Sequence, residues 1–165
     1  MIAIVNVTPD WGIGKDGRLL VAVKDDLKRF RTLTEGKTVI YGRKTLATFP
    51  EGKPLKNRRN LIMSSKPDFT VERAEICRTL AELLEKLADT PSEDVFVIGG
   101  ASVYRQLLPY CECAYVTKTF IDAPADSFFP DLDAMPNWEQ TAASDVREEN
   151  GVTYQYIDYV NYDAK

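Results

Sequence analysis

Residues 94–104, DVFVIGGASVY, constrain this chain more than any other stretch. Val95, Phe96, Val97 and Ile98 make a continuous apolar, β-rich run of the kind a sheet buries on both faces. Gly99 and Gly100 stop it. Beyond them Ala101, Val103, Tyr104, Leu107 and Leu108 recur at helical spacing as far as Pro109, so the segment reads strand, Gly-Gly, helix. Such a junction presents free backbone N–H groups and the positive end of a helix dipole at the carboxyl edge of a sheet. A diphosphate can approach closely there because glycine has no side chain. A plain tight turn accounts for the same letters equally well.

The rest of the chain bears on what that junction serves. At 165 residues with 44% hydrophobic content, one domain spanning residues 1–165 can bury an ordinary core. A net charge of −4, with the basic residues scattered, argues against nucleic acid or a polybasic membrane contact as the main partner. Cys77, Cys111 and Cys113 are an odd set without a CxxC pair, so neither a disulfide framework nor a zinc site is indicated. They suit a reducing cytoplasm, and no leader-like segment or membrane-length apolar run argues otherwise. Histidine is absent. Its absence removes the commonest general base and metal ligand and leaves acid–base work to carboxyl groups, Lys, Tyr, Cys or water.

In chain order, residues 2–7 (IAIVNV) read as an interior strand. Residues 12–17 (GIGKDG) match the letters of a dinucleotide fingerprint. They lack the strand immediately before, the helix immediately after and the acid about twenty residues on, so a glycine-rich flap over a site fits better. Residues 24–35 form a helix with Asp26, Leu27, Phe30 and Leu33 on one stripe and Asp25, Lys28, Arg31 and Thr32 outside. An acid on an apolar stripe is the anomaly, because an unpaired buried carboxylate is costly. Asp26 is therefore expected to face a pocket and to accept hydrogen bonds from a ligand's N–H groups.

Residues 38–42 are a second interior strand, followed by Arg43-Lys44-Thr45, where two cations at a strand–helix junction suit a phosphate or make a solvated turn. A third strand over 61–66 ends in Ser64, Ser65 and Lys66. Thr79 with Glu82 forms a capping box for a helix whose leucines mark an ordinary core face. Strands follow over 114–120, 139–142 and 152–160, with Asn150-Gly151 as a hairpin turn. The expected fold is α/β: an eight-stranded, mostly parallel twisted sheet, an antiparallel C-terminal hairpin and about four helices on both faces.

Taken in order, IAIVNV with WGIGKDG, DDLKRF, VIYGRKT, PLKNRRN, IMSS, VFVIGGASVY, YVT and DSFFPD resemble dihydrofolate reductase of the bacterial type, along nearly the whole chain. The resemblance implies reduction of 7,8-dihydrofolate with NADPH by a monomer. On it, Asp26 would hold the pterin's amidine-like edge, supported by Thr117 through its hydroxyl and a water. Ile4, Val5 and Ile98 would offer backbone atoms or walls to pterin and nicotinamide, with Tyr104 serving both ligands. Leu27, Phe30, Phe49 and Leu55 would make the apolar trough, and Arg58 would take the substrate's glutamate carboxylate.

For the cofactor, Gly99, Gly100, Ala101, Ser102 and Val103 would take the diphosphate, with a cis peptide expected between the glycines. Arg43, Lys44, Ser65 and Lys66 would hold the 2′-phosphate, beside Gly42, Thr45, Met63 and Ser64. Asn6, Ile13 and Gly14 would flank the nicotinamide under a lid of residues 9–23. With no histidine to protonate N5, water entering under the lid is the expected donor. Relatives commonly carry Pro-Trp where this chain has Leu20-Val21, which leaves open whether Trp11 compensates. Two alternatives stand beside this reading. One is a pyrimidine reductase of riboflavin synthesis on the same scaffold, against which Asp26, Thr117 and Arg58 count. The other is a non-catalytic dinucleotide-binding module.

Overall fold

A computed structural model describes residues 1–20 and 22–165. The chain runs β1 (Ile2–Val7), β2 (Gly12–Lys15), β3 (Arg18–Leu19), α1 (Lys24–Thr34), β4 (Thr38–Gly42), α2 (Arg43–Leu46), β5 (Arg59–Met63), β6 (Glu75–Cys77), α3 (Leu80–Lys86), β7 (Val95–Gly99), α4 (Ala101–Leu107), β8 (Cys113–Thr119), β9 (Ser127–Phe128), β10 (Trp138–Ala143), β11 (Arg147–Glu149) and β12 (Val152–Asn161). Strand order in the main sheet is β10-β12-β8-β1-β7-β4-β5-β6, with β11 also on β12. The pairs from β8 through β1, β7, β4 and β5 to β6 are parallel, while β12 runs antiparallel to β8 and β10. This is the sheet the sequence led us to expect.

Alternation along the strands sorts their side chains into two cores. Ala3, Val5, Ile40, Leu61, Val95 and Val97 share one with Leu83 of α3 and Val103 and Leu107 of α4. Ile2, Ile4, Val39, Tyr41, Ile62 and Phe96 share the other with Phe30 and Leu33 of α1 and Leu46 of α2. Helices thus cover both faces. Among the described residues no helix is long and apolar enough to cross a membrane.

Several details depart from expectation. Asn150 and Gly151, both at positive φ, turn β11 into β12 rather than β10 into β12. Between β10 and β11, the Ser144 N–H still donates to the Tyr156 carbonyl at 2.8 Å, but the reciprocal Tyr156 N–H goes to Ser144 Oγ, at 3.0 Å, instead of to its carbonyl. The third strand is shifted toward the N-terminus and ends at Met63. Thr79 caps α3 as expected, accepting the Glu82 N–H at 3.1 Å, but the Glu82 carboxylate returns to the N–H of Arg78. β6, β11 and the small sheet β3-β2-β9 escape a reading of the sequence because each is short and partly polar. Trp11 is a core residue, 6% exposed and packed on Phe129 and Tyr159 at 6.1 and 6.0 Å between ring centroids. It does not reach the cleft described next, and Val21, at which the missing Pro-Trp pair was noted, lies outside the described residues.

Candidate active site

The carboxyl ends of β1, β4, β5 and β7 open into one cleft of about 1440 Å³, walled by α1 and the β2–β3 flap. Almost every side chain singled out from the sequence lines it, from Ile4, Val5 and Asn6 to the run between Ile98 and Tyr104. Thr117 and Lys66 do not. Thr117, 2% exposed, stands behind Asp26. After β5 the chain folds back on itself, the Lys66 N–H donating to Ser64 Oγ at 3.2 Å and its carbonyl accepting from Arg78 at 2.5 Å. Arg78, unmarked in the sequence, lines the cleft in its place.

Helix α1 sets the position of Asp26, and its own sequence cannot cap it, since the N-cap residue is Val23. The cap comes from β11. Glu149 accepts the N–H groups of Lys24 and Asp25 at 2.8 and 3.1 Å, placing a carboxylate on the positive end of the helix dipole. Asp25, expected on the solvated face, instead accepts the hydroxyls of Tyr156 at 2.7 Å and Tyr154 at 2.9 Å, which hold its carboxyl below the usual range. Helix start and C-terminal strand are therefore clasped twice. Glu149→Ala is expected to cost about 1 kcal/mol, lowering Tm by roughly 3 °C, with Glu149→Gln in between; equal melting of wild type and both variants would discount the clasp.

Asp26 points the other way, into the cleft. Thr117 Oγ1 donates to its Oδ1 at 2.5 Å and Asn6 Nδ2 to its Oδ2 at 3.0 Å. Burial pushes its carboxyl above the ordinary range, outweighing those two hydrogen bonds and the Arg29 guanidinium, all of which pull it down. Asn6, assigned from the resemblance to the nicotinamide, spends its side chain on the acid.

Along α1 from Asp26 the cleft becomes an apolar trough, with Leu27, Phe30, Phe49 and Leu55 on its walls. Leu27 is 49% exposed although it lies on the helix's inner stripe, because the cleft is what it faces. At the far end the Arg58 guanidinium is steered by two bonds, Nε to Thr34 Oγ1 at 2.9 Å and Nη1 to the Lys56 carbonyl at 3.0 Å. Asn60, 2% exposed, holds the loop that carries it. Its amide bonds the Leu55 N–H and carbonyl, the Arg58 carbonyl and the Tyr41 hydroxyl at 2.8–3.1 Å. From Asp26 to Thr34 the helix rises ~12 Å, so acid and guanidinium lie toward opposite ends of an elongated trough.

On the other side of Asp26, β7 ends at Gly99-Gly100, whose peptide is cis, as expected. Gly99 sits at φ +139°, open only to glycine. Arg43, Lys44, Ser64, Ser65 and Arg78 gather around the same end of the cleft, a donor set for anions. Tyr104 ties α4 to β1, its hydroxyl donating to the Ile4 carbonyl at 2.7 Å. In the flap Gly12 leaves no room for a side chain: a Cβ there would meet Ala125 Cβ at 2.7 Å and Thr8 Oγ1 at 2.8 Å.

Comparison with known proteins places this geometry. The family model described as dihydrofolate reductase matches residues 1–161. The dihydrofolate reductase of Bacillus subtilis (strain 168) is 33% identical over 153 residues, covering 93% of this chain and 88% of that one. The bifunctional dihydrofolate reductase-thymidylate synthase of Glycine max is 35% identical over 95% of this chain, which spans 33% of that relative's length. Among solved structures, dihydrofolate reductase from Enterococcus faecalis, complexed with NADP(H) and RAB-propyl, superposes with a TM-score of 0.84 at 32% identity. The match covers 98% of this chain and 96% of that one.

Proposed function

The chain belongs to the dihydrofolate reductase family, and we propose that its cleft reduces 7,8-dihydrofolate to 5,6,7,8-tetrahydrofolate with NADPH. The observation that carries this reading is Asp26, a half-buried acid that among the described residues has one protein donor on each oxygen, so that lone pairs are left for a heterocycle's N–H edge. NADPH, when bound, supplies the hydride that reaches pterin C6.

The residues present fit that cofactor. Gly99 and Gly100 leave backbone room for a diphosphate at the start of α4, and Arg43, Lys44 and Ser65 provide charge and hydroxyl donors for a 2′-phosphate. Ile13 and Gly14 of the flap, with Val5 and Ile98, enclose the space between the two ligands and limit water there. Asp26 orients the pterin and polarises it, and with no histidine in the chain the proton for N5 comes from water. Arg58 receives the glutamate carboxylate.

Residues 1–165 act as one domain in this proposal, as a monomer in a reducing cytoplasm, where the free Cys77, Cys111 and Cys113 are at home. It takes up the reductase part of the bifunctional relatives' name alone, since the chain spans a third or less of the length of those relatives.

The deciding assay follows the loss of NADPH absorbance. Dihydrofolate is expected to accelerate it, and methotrexate to abolish that acceleration. Acceleration by a ribosylated aminopyrimidine instead would select the pyrimidine reductase, and none with either substrate would leave only a dinucleotide binder.

A further inference from the structure

We infer that Asn6 and Thr119 are positioning residues for Asp26, forming with it a one-directional hydrogen-bond chain that aims the carboxylate into the cleft and stabilises its charge. The inference deepens the reductase reading and rests on it for the chemistry that Asp26 performs.

Register brings these side chains together. β1 and β8 are parallel, and Asn6 lies opposite Thr117. Thr119, two residues further along β8, projects from the same face. On that face β1 otherwise carries Ile2 and Ile4, both core residues, so Asn6 is the polar member of an apolar series. Its amide is held at both ends, with Nδ2 3.0 Å from Asp26 Oδ2 and Oδ1 2.7 Å from Thr119 Oγ1.

The direction of the chain follows from what each group can do. An ionised carboxylate only accepts, so the atom facing Asp26 must be the amide nitrogen. That leaves the amide oxygen to Thr119, whose hydroxyl then has to donate. Thr119 is fully buried and keeps the amide from turning over. Thr117 donates to the other carboxylate oxygen. All the dipoles therefore point at one negative charge, an arrangement in which each bond strengthens the next.

Other groups near Asp26 are Arg29 and Asp25 on its own helix, Tyr154 and Tyr156 from β12, Arg147 from β11 beside Asp25, and Tyr104 from α4. Burial raises Tyr104, Tyr154 and Tyr156, which stay protonated in the range where the acid titrates. None of these groups changes in the variants below. Against them, Asn6 counters the burial that raises Asp26.

The test titrates the Asp26 carboxyl by carbon NMR in the whole protein, its signal identified by its loss in Asp26→Asn. Asn6→Ala is expected to raise the midpoint by about one pH unit. Thr119→Val should raise it by less, and Thr119→Ser, which keeps the hydroxyl, should restore it. Because Thr119 acts only through Asn6, the double variant should shift no further than Asn6→Ala alone. The midpoint of the pH–turnover profile should follow the carboxyl in each variant.

An unmoved carboxyl in Asn6→Ala would overturn the inference. So would a Thr119→Val effect that adds in full to that of Asn6→Ala. Should the carboxyl shift as expected in a protein that never reduces dihydrofolate, the reductase reading alone would fall and the chain of hydrogen bonds would stand.

Discussion

Replacing Asp26 by Asn is expected to lower turnover of dihydrofolate about 10²- to 10³-fold, the range found when one preorganised electrostatic partner is removed. NADPH affinity should stay within about twofold, on the order of what a change outside the cofactor's own contacts leaves. Asn keeps the shape and one acceptor, so Thr117 retains a partner. The negative charge goes, and the new amide nitrogen meets donors on both sides, Asn6 Nδ2 in the protein and the N–H edge of the ligand. The Gly99-Gly100 junction, Arg43 and Lys44 are untouched. Single-turnover kinetics with NADPH prebound separate the two quantities, and an Asp26→Asn protein reducing dihydrofolate at the normal rate would remove Asp26 from the mechanism.

The same pair of proteins should differ in how stability depends on pH. The Asp26 carboxyl is raised above its ordinary 3.8, so the folded chain keeps a proton that the unfolded chain has already lost. Stability contributed by this group therefore falls as pH rises through the window from 3.8 to its raised value. Asp25 and Glu75, lowered by Tyr156 and Arg59 respectively, slope the opposite way, so the effect is read as wild type minus variant. Urea unfolding at stepped pH should show that difference declining upward through the window and flat beyond it.

Legibility of the fold followed burial. β1, β4 and β7 are covered on both faces, so each is a solid apolar run that can be read without tertiary knowledge. β11 is three residues, Arg147 to Glu149, mostly exposed, and nothing in its own letters distinguishes it from a loop. The site was legible where a residue broke its local pattern. Asp26 stood out as an acid on an apolar stripe. Asn6 breaks IAIVNV in the same way and carried the same signal, and taking its role from family likeness hid its bond to the acid. Glu149 and the Tyr154–Tyr156 pair had no such signal, because their partner lies more than 120 residues away and only the folded sheet brings them together.

Arg58→Lys is the substitution expected to separate substrate binding from chemistry most sharply, raising KM for dihydrofolate ~100-fold with kcat within about twofold. Two of the guanidinium's donor nitrogens are already engaged, Nε on Thr34 and Nη1 on the Lys56 carbonyl, which fixes the plane of the group. What remains faces the cleft as a planar fork able to grip a carboxylate in two-point contact. Lys has a single nitrogen. It can hold Thr34 or reach the ligand, but it cannot be steered by the scaffold and present two parallel donors at once. Losing charge-assisted hydrogen bonds of this kind costs about 3 kcal/mol, hence the factor in KM. Turnover is spared because the contact lies ~12 Å along α1 from Asp26 and is made equally in ground and transition states. A dihydropterin lacking the glutamate supplies the control: it should bind weakly to wild type and no more weakly to the Arg58→Lys protein. Equal losses for both substrates would mean that Arg58 supports the loop held by Asn60 and takes no part in gripping the ligand.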